Sequence, residues 1–178
     1  MARILIVYAT TEGQTRKIAD QVGAWIKEAG HESGIIDSAT PNLTLDPTLW
    51  DCAILAASIH VEKHQPSMVH FVRAHRSQLA LIPTLFLSVS LSATIDDDDH
   101  RRDTQKCIDA FIHDTGWVPG QAVPVAGAIR YSQYDFFRKT VIHMIAKKEG
   151  YATSTNQDYE YTDWPRLHEV VKEFLAKL

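Results

Sequence analysis

The feature that most constrains this chain is a series of short runs that are apolar at nearly every position. Residues 4–8 read Ile-Leu-Ile-Val-Tyr and residues 52–58 read Cys-Ala-Ile-Leu-Ala-Ala-Ser. A strand with one face in water alternates apolar and polar residues. A strand that is apolar throughout needs cover on both faces, which is the habit of parallel sheets flanked by helices. Further strands are expected over 84–90, introduced by Pro83, and over 121–126, with a weaker one over 31–37.

Segments of helical period lie between these runs. From Gln14 to Ala29, Ile18, Val22, Trp25, Ile26 and Ala29 form one stripe, and Gly30 ends it. Residues 66–79 bury Val69, Phe71, Val72 and Leu79, and a third helix reaches Thr115 with Ile108, Phe111 and Ile112 inward. The closing helix opens at 162–165, with Asp163 or Thr162 as N-cap, and buries Leu167, Val170, Val171, Phe174 and Leu175. This alternation predicts one α/β domain over 1–178, a doubly wound five-stranded parallel sheet with helices on both faces. One stretch exceeds what such a fold needs. Residues 127–161 separate the fifth strand from the last helix, and connections this long usually carry function.

Charge and composition exclude several classes. With 18 basic against 22 acidic side chains the net charge is −4, too acidic for a general nucleic-acid binder. Apolar residues at 45% and charged residues at 22% suit a globular chain rather than a disordered one. Cys52 and Cys107 look like reduced core residues, and no secretory leader is expected at the N-terminus. No window of the chain is apolar enough to span a bilayer, so a cytoplasmic protein is expected, or one peripheral on the inner face of a membrane. The acidic run 96–99 reads as helix capping, and no His/Cys/Asp spacing suggests a metal site.

The loop after the first strand carries the chemistry. Thr10, Thr11 and Thr15 offer hydroxyls, Gly13 permits a tight turn, and a helix N-terminus with free N–H groups follows. The loop lacks the Lys of a Walker A motif, the glycines of a dinucleotide fingerprint and the Cys-x5-Arg of a phosphatase. A phosphate held rather than transferred suits a mononucleotide cofactor.

Residues 6–19 resemble the FMN-phosphate signature of flavodoxins at every specified position: apolar, apolar, aromatic, then Thr10, Gly13, Thr15 and Ala19. The resemblance implies strand order 2-1-3-4-5 and FMN as cofactor, with Thr10, Thr11, Glu12, Gly13, Gln14 and Thr15 wrapping its phosphate. Over nearly the whole chain the sequence also resembles the flavodoxin-like protoporphyrinogen oxidases of bacteria. The resemblance rests on Glu12-Gly13-Gln14-Thr15, Ala57-Ser58-Ile59, Ser88-Val89-Ser90-Leu91, Ala126-Gly127-Ala128-Ile129-Arg130-Tyr131 and Tyr161-Thr162-Asp163-Trp164. It implies flavin contacts from Ser58, Ile59, His60, Ser88, Val89, Ser90, Leu91 and Gly127. It also implies protoporphyrinogen IX as substrate, met by Arg130 and Tyr131, and a membrane quinone as acceptor. A flavodoxin-type electron carrier and an FMN-binding NAD(P)H:quinone reductase are the alternatives, and the long insertion favours the first reading.

Two further expectations concern the loop after the third strand. His60 and His64 are the candidate proton-moving residues, because imidazole titrates near neutral pH. Flavodoxins often place a Gly here whose peptide rotates to meet the flavin. Glu62 should instead resist a positive φ, which would favour two-electron over one-electron reduction. Within the insertion, residues 129–150 combine a basic excess with a stripe of Tyr134, Phe137, Val141, Met144 and Ile145. That pattern suits either a helix packed on the sheet edge or an interfacial helix meeting lipid, quinone or porphyrin.

Overall fold

The computed structural model of the protein describes residues 1–95, 97–129 and 159–178. In chain order the elements are β1 (Arg3–Ala9), α1 (Gln14–Glu28), β2 (Glu32–Asp37), β3 (Cys52–His60), β4 (Lys63–His64) and α2 (Pro66–Leu79). They continue as β5 (Thr84–Ser90), α3 (Asp98–Thr115), β6 (Gln121–Ala126), β7 (Ala128–Ile129), β8 (Tyr159–Glu160) and α4 (Trp164–Leu175). Five strands lie parallel in the order β2-β1-β3-β5-β6. This is the order implied by the sequence, whose fourth and fifth strands are β5 and β6.

Successive residues of a strand point to opposite faces, so each apolar run supplies two cores. Ile4, Ile6 and Tyr8 pack with Ile18, Val22 and Ile26 of α1 and with Leu167, Val170 and Phe174 of α4. Leu5 and Val7 face the other way, toward Phe71 and Val72 of α2, Phe111 of α3, and Trp117. All seven residues of β5 are buried. In the second core Phe86 and Phe111 stack at 4.6 Å, with Trp117 edge-on to both.

The helix ends follow local chemistry. Asp97 caps α3 by accepting from the His100 N–H, and Asp163 caps α4 by accepting from the Arg166 N–H. Gly116, at φ 65, closes α3 in the left-handed conformation. Of the acidic run, Asp98 and Asp99 pair with Arg101 and Arg102 on the exposed surface, while Asp96 lies outside the described residues.

Two features were not foreseen. β3 runs on to His60 and doubles back through a two-residue turn into β4, pairing Ile59 with His64 and His60 with Lys63. β7 and β8 form a small antiparallel ribbon that joins the two ends of the long stretch 130–158, itself outside the described residues. No helix among the described residues is long and apolar enough to cross a membrane.

The layer between β5 and α3 is therefore the stiffest test of the fold. Phe86→Ala, at a side chain with 0% exposure, should lower unfolding free energy by about 3–5 kcal/mol. Leu81→Ala, at 73% exposure, should stay within about 0.5 kcal/mol. Urea unfolding of both variants checks the contrast.

Candidate functional site

The carboxyl ends of β1, β3, β5 and β6 open into a cleft of about 530 Å³. It lies where the chain reverses direction across the sheet, with β2 on one side of β1 and β3 on the other. Its first wall is the β1–α1 loop, contributing Thr10, Thr11, Glu12, Gln14 and Thr15. Gly13 sits behind this wall at φ 86, and its N–H donates to Thr10 Oγ1 at 2.9 Å while its carbonyl accepts from the Lys17 N–H at 3.0 Å. A Cβ at Gly13 would meet nothing within 4 Å, so backbone conformation rather than space calls for glycine there.

The loop holds two buried polar atoms with no partner among the described residues, Thr15 Oγ1 and Gln14 Oε1. Thr15 is 0% exposed and stands in the first turn of α1. A buried hydroxyl left unpaired is costly, and such a group in a native protein calls for an explanation. The donors around it are hydroxyls and the free N–H groups of a helix N-terminus, and no Lys or Arg lines the cleft among the described residues. That donor set fits one phosphate monoester, held by neutral groups and the helix dipole.

The second wall comes from the β3 end and the turn beyond it, Ser58, Ile59, His60, Val61 and Glu62, with Gln65. Val61 and Glu62 stand at φ 49 and 62, the two left-handed residues of the turn that closes the β3–β4 hairpin. The expectation that Glu62 avoids positive φ is thus corrected. A two-residue hairpin turn of this hand needs both central residues there, and strand pairing overrides the local preference. Gln65, which sequence reasoning missed, donates from its side chain to Ser58 Oγ and to Thr11 Oγ1, so it ties the two walls together. Its position just before the helix-opening Pro66 was the only signal that could have drawn attention to it.

The remaining wall is formed by Val89, Ser90, Leu91 and Ser92 after β5, with Gly127 and Ala128 after β6. The Gly127 N–H donates to the Ser90 carbonyl at 3.0 Å. Behind it, Thr162 Oγ1 donates to the Ala126 carbonyl at 2.8 Å and accepts from Gln14 Nε2 at 2.9 Å. Glu160 accepts from Lys17 at 2.6 Å and from the Trp164 indole at 2.7 Å. The described residues on either side of 130–158 are therefore moored beside the β1–α1 loop. Arg130 and Tyr131, expected at the substrate, lie outside the described residues.

Two candidates do not face the cleft. His64 is 5% exposed, with its ring against Phe86 and Phe111 and Nε2 3.0 Å from Ser88 Oγ. Ser88 is likewise buried beneath the sheet end. The alternation of β4 turns Lys63 outward and His64 inward, so the His64 ring lies in the core and not in the lining of the cleft. His60 does line the cleft, at its exposed rim.

Fold and cleft together define a flavodoxin-type protein: the model of the flavodoxin domain family matches residues 5–156, and the chain belongs to that family. Among curated relatives, the protoporphyrinogen IX dehydrogenase (quinone) of Escherichia coli strain K12 is 29% identical over 173 residues, covering 96% of this chain and 93% of that protein. The protein of the same name from Leishmania major is 27% identical over 175 residues, covering 98% of this chain and 75% of its own. Among solved structures, oxidised flavodoxin 1 from Bacillus cereus superposes with a TM-score of 0.55 at 13% identity, covering 99% of both chains. Fusobacterium nucleatum flavodoxin bound to flavin mononucleotide gives 0.52 at 11% identity, covering 99% of this chain and 96% of that one. At such identities the structures establish the fold.

Burial lowers the His64 pKa from 6.5 to about 4. The unfolded chain therefore binds a proton that the folded one refuses between these values. The stability that neutral His64 permits is fully present above pH 6.5 and drains away as pH falls toward 4, by roughly 3 kcal/mol. His64→Leu should flatten that part of the stability–pH profile, measured by urea unfolding at intervals from pH 7.5 to 4. An unchanged slope in the variant would count against the assignment.

Proposed function

We infer that the protein is an FMN-dependent oxidoreductase that dehydrogenates protoporphyrinogen IX and passes the electrons to a quinone. The observation that carries the reading is the buried Thr15 hydroxyl at the α1 N-terminus, without a partner among the described residues, in a cleft at the switch point of a flavodoxin-type sheet. The relatives named protoporphyrinogen IX dehydrogenase, matched over 96% of this chain, support the substrate and acceptor.

Thr10, Thr11 and Thr15, with the first-turn N–H groups of α1, would hold the phosphate. Ser58, Ile59 and His60 on one side, and Val89, Ser90, Leu91 and Gly127 on the other, bound the space for the rest of the cofactor. FMN, when bound, supplies the two-electron chemistry, so the chain needs chiefly to place the substrate and handle protons. Of the two histidines considered for proton transfer, His60 lines the cleft at its rim, which supports it as the group that would take a proton through an imidazole nitrogen. Arg130 suits a propionate carboxylate, with Tyr131 beside it.

The acceptor bears on location. Within 129–150, Arg130, Arg138, Lys139, Lys147 and Lys148 stand against Asp135 and Glu149, five positive and two negative charges for a local +3. Near an anionic membrane each basic residue contributes about 1 kcal/mol, which supports peripheral contact on the cytoplasmic face, where a membrane quinone is reached.

Apo-protein should take up FMN in preference to FAD, because the loop has donors for one phosphate. Thr15→Val should weaken FMN binding by about 1–3 kcal/mol in a fluorescence titration. Anaerobic stopped-flow with protoporphyrinogen IX, NADH and reduced ferredoxin in turn should bleach the flavin fastest with the porphyrinogen. Fastest bleaching by ferredoxin would favour a carrier, and by NADH a quinone reductase.

The β7–β8 ribbon offers a cleaner cut. Replacing residues 130–158 by a two-residue Asn-Gly turn should leave FMN bound and abolish porphyrinogen oxidation. Full activity in that variant would remove the main support for an enzyme over a carrier.

A further inference from the structure

Among the described residues, non-glycine residues take positive φ at Asn42, Val61 and Glu62 alone. Asn tolerates that region, whereas a β-branched Val does not adopt it without strain. The Val61 side chain is 70% exposed, so no packing of its own offsets the strain. Strained conformations persist only where the surroundings over-determine them, and they cluster at binding sites. This one forms a wall of the cleft.

What holds the turn lies immediately after it. β4 has only two residues, and the one that is buried is His64. Its ring packs against the stacked pair of Phe86 of β5 and Phe111 of α3, at 5.1 and 4.9 Å, and Nε2 is 3.0 Å from Ser88 Oγ. The next residue, Gln65, returns its N–H to the Ser58 carbonyl at 3.2 Å and its side-chain amide to Ser58 and Thr11. An apolar side chain would fill the His64 site at least as well as a depressed-pKa imidazole. The hydrogen bond to Ser88 adds what apolar packing does not, a fixed position for β4 against β5.

We propose that His64 is a positioning residue: its bond to Ser88 pins β4, holds the strained Val61–Glu62 turn in place, and so shapes the wall that meets the ring of the cofactor. This rests on the FMN reading, because a ligand with its phosphate at α1 must lay its remainder against the walls at 58–62 and 89–92. The phosphate loop and the pinned turn then control different parts of one ligand.

The test compares FMN with riboflavin, which lacks the phosphate, by fluorescence titration on the full chain, beside unfolding midpoints. Failure of the wild-type protein to bind either flavin would defeat the FMN reading itself. With binding established, Ser88→Ala and His64→Phe should weaken riboflavin and FMN alike, by roughly five- to tenfold, whereas Thr15→Val should weaken FMN only. The paired change Val61→Asn with Glu62→Gly suits a turn of this hand without strain. Alone it should raise the unfolding midpoint. Added to Ser88→Ala it should restore riboflavin affinity, because an unstrained turn no longer needs the pin. A merely structural role for His64 moves the midpoint without moving riboflavin affinity. Unchanged riboflavin affinity in Ser88→Ala, or loss that the turn replacement does not rescue, overturns the proposal.

Discussion

Two-sided burial of the central strands is the constraint from which the other features follow. β1, β3 and β5 have neighbours on both edges and helices on both faces, so their backbone groups and side chains are used up internally. Nothing along their length is available to a ligand. Only the carboxyl ends remain open, where loops leave the sheet, and there the helix that covers β1 begins with free N–H groups. A site for an anionic ligand is the residue of a packing problem already solved elsewhere.

The cleft is assembled from segments far apart in sequence, and its parts are cross-linked by side chains rather than by backbone. Gln65 joins Ser58 near the end of β3 to Thr11, and Gln14 joins the start of α1 to Thr162, just before α4. Lys17 and Glu160 make a second link of that kind at the surface, where an ion pair alone contributes little. Gln14 matters more because it is 5% exposed and its amide oxygen has no partner among the described residues. The same side chain therefore both meets Thr162 and lines the cleft.

His64 shows how much a residue's surroundings add to what its type suggests. A histidine next to a cleft residue suggests acid–base chemistry, yet burial among aromatic rings lowers the pKa of this one to about 4. Its polar atoms serve the framework through Ser88. The strained turn beside it has the opposite history: local preference argues against Val61 and Glu62 at positive φ, and hairpin closure imposes it.

The sequence by itself determined the architecture and singled out the loop after β1 as the expected cofactor loop. Continuous apolar runs alternating with amphipathic segments leave few topologies open, and hydroxyls around a Gly between strand and helix act over a few adjacent residues, so both are legible along the chain. Helix boundaries at Pro66 and Asp163 were legible for the same reason, since capping is local. Tertiary structure alone decided that His64 and Ser88 turn inward, that Gln65 spans two walls, and that β7 and β8 close a ribbon. Each of these depends on pairing across long sequence separations, and such pairing sets which face a residue shows; a shift of one residue in β4 would have put His64 in the solvent and Lys63 in the core.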